Sequence, residues 1–98
     1  MTPDGSGTAA PADLRVEYLE KLGDELVHRG FRVRLNTPLE KPASLHVMNP
    51  RATVLTEDIL AEADADGWWF HWSWAERIAA ADDVAAAADR IARVLAVR

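Results

Sequence analysis

The stretch Trp68-Trp69-Phe70-His71-Trp72-Ser73-Trp74 holds all four tryptophans of the chain. With the two-residue period of a strand it places Trp68, Phe70, Trp72 and Trp74 on one face and Trp69, His71 and Ser73 on the other. A wholly aromatic face anchors the core of a small domain. The opposite face presents a Trp and a His where a partner or ligand can lie. Trp72, at the strand centre, is assigned to the core. Trp69 is the candidate contact residue, because Trp supplies rigid apolar area and one hydrogen-bond donor at interaction hot spots.

Upstream of this strand, Asp64-Ala65-Asp66-Gly67 has the composition of a hairpin turn, which makes Glu57 to Ala63 the preceding strand. Within Arg51 to Ala63 the pairs Val54-Leu55 and Ile59-Leu60 fit neither a strand nor a helix period cleanly, so a short helix is the alternative there. From Ser44 to Asn49 the alternation is plain, with Leu45 and Val47 inward and His46 and Met48 outward; Pro50 ends it. Phe31 to Leu35 alternates strictly and places Arg32 and Arg34 outward. Before it, Leu14, Tyr18, Leu19, Leu22 and Leu26 form the apolar stripe of a helix over Asp13 to Arg29, capped by Asp13 and closed by Gly30. Downstream, the Trp68 strand is expected to run to Ala75. Asp82 or Asp83 then caps a final helix with the stripe Val84, Ala88, Ile91 and Leu95. The expected fold is α+β: helix, antiparallel sheet of three to four strands, helix, in two layers with both helices on one sheet face.

Length and charge narrow the function classes. A chain of 98 residues is one domain that hides only about 60–65% of its unfolded surface, which favours oligomerisation. The first eleven residues, rich in Pro, Gly, Ser, Thr and Ala, read as a disordered tail, leaving residues 12–98 as the domain. A formal net charge of −5 argues against nucleic acid as a partner, since that demands clustered Lys and Arg. No window approaches the roughly 18 apolar residues of a membrane span. With no cysteine there is neither a disulfide framework nor a thiolate ligand or nucleophile, and a cytoplasmic location is expected.

Motifs of catalysis or cofactor binding are weak. Glu62-x-Asp64-x-Asp66-Gly67 imitates the start of a calcium loop, but the closing acid falls on Ser73 and strands flank it, so it reads as an acidic turn. His46 and His71 could meet across adjacent strands as ligands or as an acid–base pair, yet two histidines are too few for zinc. Ser73 beside His71 or His46 is the nearest approach to a nucleophile and base. No catalytic residue, metal or cofactor is assigned. Arg29, Arg32 and Arg34 form a basic cluster, and Glu57, Asp58, Glu62, Asp64 and Asp66 an acidic one, which together could make a dipolar face that orients a partner.

The Asn49-Pro50 break, the segment from Gly67 through Trp74 to Ile78 and the Asp-capped, Ala-rich helix after it resemble small proteins of high-GC actinobacteria. That resemblance covers most of the chain after the tail, implies a fold and carries no activity. The helix-sheet-helix order is similar in outline to small acidic dimeric secretion chaperones and to half of the YbjN-type domain, and a shared fold does not carry function.

The expected function is a non-catalytic protein-interaction module, forming a homodimer or serving another cytoplasmic protein. It would use a sheet face that carries Arg32, Arg34, His46, Met48, Trp69 and His71. The alternative is a small aromatic or sugar-like ligand on the Trp69 and His71 surface, and the third reading is a hydrolase built on His46 or His71.

Overall fold

A computed structural model describes residues 11–96. The elements run α1 (Pro11–His28), β1 (Arg32–Asn36), β2 (Ser44–Met48), β3 (Thr56–Asp64), β4 (Gly67–Trp72), β5 (Arg77–Ala80) and α2 (Val84–Val94). The strands form one antiparallel meander in the order β1-β2-β3-β4-β5. The architecture is α+β as expected, with five strands in place of three to four. Residues 1–10, read as a tail, lie outside the described residues. Pro11, counted with that tail, is the first residue of α1, where its missing N–H costs nothing and its fixed φ suits a helix. Asp13 therefore sits inside the first turn rather than at the cap.

Gly30 closes α1 at φ 96°. There the Phe31 N–H donates to Leu26 O and the Gly30 N–H to Val27 O, both at 3.0 Å. This is the Schellman closure, which satisfies the last carbonyls and aims the chain back along the sheet. At the other end of the fold Asp83 caps α2 by accepting from the Ala86 N–H at 3.1 Å.

The core lies between the helices and one face of the sheet. Leu19, Leu22 and Leu26 of α1 and Ala87, Ala88, Ile91 and Leu95 of the α2 region meet Leu45, Val47, Ile59, Ala61, Phe70, Trp72 and Ile78. Burying this apolar surface on one side is the main stabilising term, and it fixes strand register because a one-residue slip would turn every side chain over. Trp72 is buried as expected and Trp68 packs at the core margin against Tyr18, with ring centroids 5.6 Å apart. The pair Ile59-Leu60, which fits no single period, divides between the two faces: Ile59 is buried and Leu60 opposes His71 on the other side. Val54, in the β2–β3 loop, is 87% exposed.

The aromatic face of the tryptophan run is shorter than expected. β4 ends at Trp72, and the chain reverses through Ser73-Trp74-Ala75, where the Ala75 N–H donates to Trp72 O and the Trp72 N–H to Glu76 O, each at 2.9 Å. Ala75 takes φ 75°, the left-handed position of a three-residue hairpin loop, which glycine normally fills. β5 then pairs with β4, with a register shift between Phe70 and His71. That shift lets Ile78 and Ala79 both serve the core while Arg77 and Ala80 oppose His71 and Trp69. Trp74 leaves the sheet, is 53% exposed, and stacks on Trp72 at 5.1 Å between centroids.

Candidate binding face

Because both helices pack on one side, no element among the described residues covers the other face of the sheet. Register places four cross-strand rows on it: Arg32, Met48 and Thr56; Arg34, His46 and Asp58; Leu60, His71 and Arg77; Glu62, Trp69 and Ala80. All six residues expected to form a binding face (Arg32, Arg34, His46, Met48, Trp69, His71) therefore share it. Strand alternation fixes this side, since their sequence neighbours Val33, Leu45, Val47, Phe70 and Trp72 contribute to the core.

His46 is held at both ring nitrogens. Its Nδ1 stands 2.8 Å from Asp58 Oδ1 and its Nε2 3.0 Å from Thr56 Oγ1, while the Thr56 hydroxyl donates to Val47 O at 3.0 Å. The order carboxylate, imidazole, hydroxyl is that of a hydrolytic triad, but in such a triad the hydroxyl gives its proton to the imidazole. Here the single hydroxyl proton lies within reach of both Val47 O and His46 Nε2, each 3.0 Å from Oγ1, and the ring tautomer sets which of them receives it. The three side chains pin the centre of the face.

His46 and His71 are not neighbours, because β3 runs between β2 and β4. His71 donates instead from Nδ1 to Ala75 O at 3.3 Å, a bond that helps close the β4–β5 turn. Ser73 lies in that turn and forms no hydrogen bond with either histidine among the described residues.

Arg77 organises the far corner. It donates to Asp64, lies 3.9 Å from Asp66, and sets its guanidinium 4.2 Å above the Trp69 ring. A cation on the ring face is attracted by the aromatic quadrupole and shields the indole from water. The acidic turn thus has a cation already seated on Asp64, and its Asp64 Oδ1 accepts from the Asp66 N–H at 2.8 Å as part of the turn itself. Among the described residues no group of three or more His, Asp or Glu side chains is arranged to hold a metal ion.

The two charge clusters are redistributed by the fold. Arg29 leaves the basic group: on the helical side it donates to Glu25 at 2.9 Å and to Asp89, joining the end of α1 to α2. The hydrogen bond to Asp89, with that to Glu25, raises the Arg29 pKa, and the same guanidinium holds the Asp89 carboxyl below its ordinary value. Glu57 leaves the acidic group, since it opposes Val47 on the helical side of the sheet. Arg32 and Arg34 remain at the β1 edge, and Glu62, Asp64 and Asp66 at the β3–β4 hairpin. Arg32 lies level with the Thr56 end of β3 and the acidic group at its Asp64 end, so the two charges stand at opposite ends of the strand direction, one on the edge strand and the other at the central hairpin.

Residues Thr56, Leu60 and Arg77 belong to the face and were not among those expected, and Asp58, expected only as part of the acidic cluster, sits at its centre on His46. The parity of Ile59 and Ala61 against Leu60 and Glu62 carried the signal for β3. Nothing in Arg77-Ile78-Ala79-Ala80 marks an edge strand. The face holds two open depressions, one of about 390 Å³ beside Arg32, Arg34, His46 and Met48, the other of about 350 Å³ beside Leu60, Glu62, His71 and Ser73. No described helix is long and apolar enough to cross a membrane. Compared with family models, curated proteins and solved structures, the chain shows no significant match.

Proposed function

We propose that this chain is a non-catalytic interaction module that self-associates through the open face of its sheet. The observation that carries the reading is the separation of charge on that face. Arg32 and Arg34 form no salt bridge among the described residues, and they stand across Met48, His46 and Leu60 from Glu62, Asp64 and Asp66, a group that stays net negative although Arg77 is paired with Asp64. A two-fold axis lying in the face, perpendicular to the line joining the two groups, sets the basic group of one copy on the acidic group of the other. Such an isologous contact is self-complementary by construction.

Partly buried Met48, Leu60 and Trp69 lie between the two groups, giving the contact an apolar centre with a charged rim, the usual anatomy of a protein interface. A small aromatic or sugar-like ligand at Trp69 and His71 has less support, because Arg77 already occupies one face of the Trp69 ring. Sedimentation velocity through the micromolar range tests the reading. A dimer that Trp69→Ala weakens is the expected result; a monomer throughout, indifferent to Trp69→Ala, would overturn it.

A further inference from the structure

Between the β4–β5 turn and the C-terminal half of α2 lies an open depression of about 550 Å³ whose walls include Trp72, Trp74, Glu76, Arg90, Arg93 and Val94. We infer that this pocket binds a small planar aromatic anion, a ring bearing a carboxylate or a phosphate.

The aromatic wall is set in advance. Trp74 is 53% exposed, yet its indole is fixed twice: it lies parallel to Trp72, with planes 4° apart, and its Nε1–H donates to Glu76 Oε1 at 3.0 Å. An exposed indole normally loses side-chain freedom when a ligand stacks on it. Here that ordering has already been imposed by the fold. The buried Trp72 takes one face of the Trp74 ring, which leaves the other for a second planar group.

The cationic wall comes from α2. Arg90 and Arg93 are three residues apart and so share a helix face. Neither forms a salt bridge among the described residues, although the chain is acidic overall and nearby Arg77 and Arg29 are both engaged by aspartates. Arg93 acts on the Asp89 carboxyl only through its charge, so both guanidiniums keep forked donors matched to carboxylate or phosphate oxygens. Arginines near a helix C-terminus also suit the helix dipole, but the dipole does not account for a fixed, exposed indole facing them. Glu76, also in the pocket wall, accepts the Trp74 N–H on Oε1 and keeps its negative charge, which Arg90, Arg93 and Arg77 in the same wall outnumber. The pocket therefore offers one planar apolar surface and one anion-binding edge, and a ligand carrying both features uses both. A nucleic acid strand does not fit, because two arginines in a chain of net charge −5 make no track for a phosphate backbone.

The test is titration of the ¹⁵N-labelled full chain, read at the indole and arginine side-chain signals, with adenosine 5′-monophosphate and 2-naphthoate as the two aryl anions. Adenosine and inorganic phosphate serve as the ring-only and charge-only controls. Millimolar or tighter binding of at least one aryl anion is expected, shifting the Trp74 indole while leaving Trp69 unmoved; which one binds decides between phosphate and carboxylate. Arg90→Ala combined with Arg93→Ala, and separately Trp74→Ala, should each weaken binding about tenfold or more, a loss of about 1.4 kcal/mol. The unchanged remainder of the spectrum reports that each variant is folded. No shift with either aryl anion, or equal shifts with phosphate alone and no dependence on Trp74, would overturn the inference.

Discussion

The side-chain amide of Asn49 donates to the backbone carbonyl of Leu95 across 2.7 Å, tying the β2–β3 loop to the C-terminal cap of α2. Asn49 is 7% exposed and bonded through both side-chain atoms and both backbone groups: its Oδ1 accepts from the Arg51 N–H at 2.9 Å, its own N–H donates to Leu55 O, and its carbonyl accepts from the Ala52 N–H. One side chain thus both shapes a loop and satisfies a helix end, which is why a polar residue is tolerated there. Asn49→Ala should cost roughly 1–3 kcal/mol, since it orphans a buried carbonyl. Asn49→Asp should also destabilise at neutral pH, because a carboxylate cannot donate to Leu95 O. Urea unfolding of both variants measures this.

Ala75 sits at φ 75°, where an L side chain is disfavoured by about 1–2 kcal/mol. Ala75→Gly should stabilise the domain by about 0.5–1 kcal/mol, the relief being offset in part by the greater freedom of glycine in the unfolded chain. The outcome is read from the urea midpoint with the slope unchanged. A destabilised Gly variant would mean that the Ala75 methyl contributes to the turn.

Within the tryptophan run the responses should be unequal. Trp72 is 5% exposed and carries the Trp74 stack, so Trp72→Ala should cost about 3–5 kcal/mol. Trp69, on the open face beneath Arg77, should cost about 1 kcal/mol or less on truncation. Thermal melts of the two variants compare them directly; a reversed order would mean that the wrong face is buried.

Protonation of Asp89 should loosen the contact between the helices. Its carboxyl is held below its ordinary value, first by the hydrogen bond from Arg29 and then by that guanidinium's charge. A folded pKa below the unfolded one gives a contribution that is present above the unfolded value and lost as pH falls through the folded one. Stability measured against pH should therefore fall in acid below about 3.8, and Asp89→Asn should flatten that part of the curve while leaving the profile near neutrality parallel to wild type.

Much of the layout is legible in the residues because burial writes period two into strands and period 3.6 into helices. Leu45 and Val47 against His46 and Met48, or Leu19, Leu22 and Leu26 in α1, could be assigned to their sides by count alone. The run at Trp68 to Trp74 misled at its end. Ser73-Trp74-Ala75 contains no Gly, Pro, Asn or Asp, so the turn has no local signature, and its left-handed position is held by the β4–β5 pairing at the expense of local preference. β5 was hidden for the same reason, being short, alanine-rich and bent by a register shift. Of the candidate face, six residues were readable from parity, whereas Asp58 on His46 and Arg77 on Trp69 depend on cross-strand register, which one sequence does not encode locally.

The measurement that bears most directly on the central claim is a charge-reversal cycle across the open face, followed by sedimentation equilibrium. If the basic group of one copy meets the acidic group of another, Arg34→Glu and Glu62→Arg should each weaken the dimer by about tenfold, a loss of about 1.4 kcal/mol. The double variant should regain most of that affinity, because the reversed groups are complementary again. A monomeric wild type, or a double variant as weak as the two single losses added together, would contradict the account.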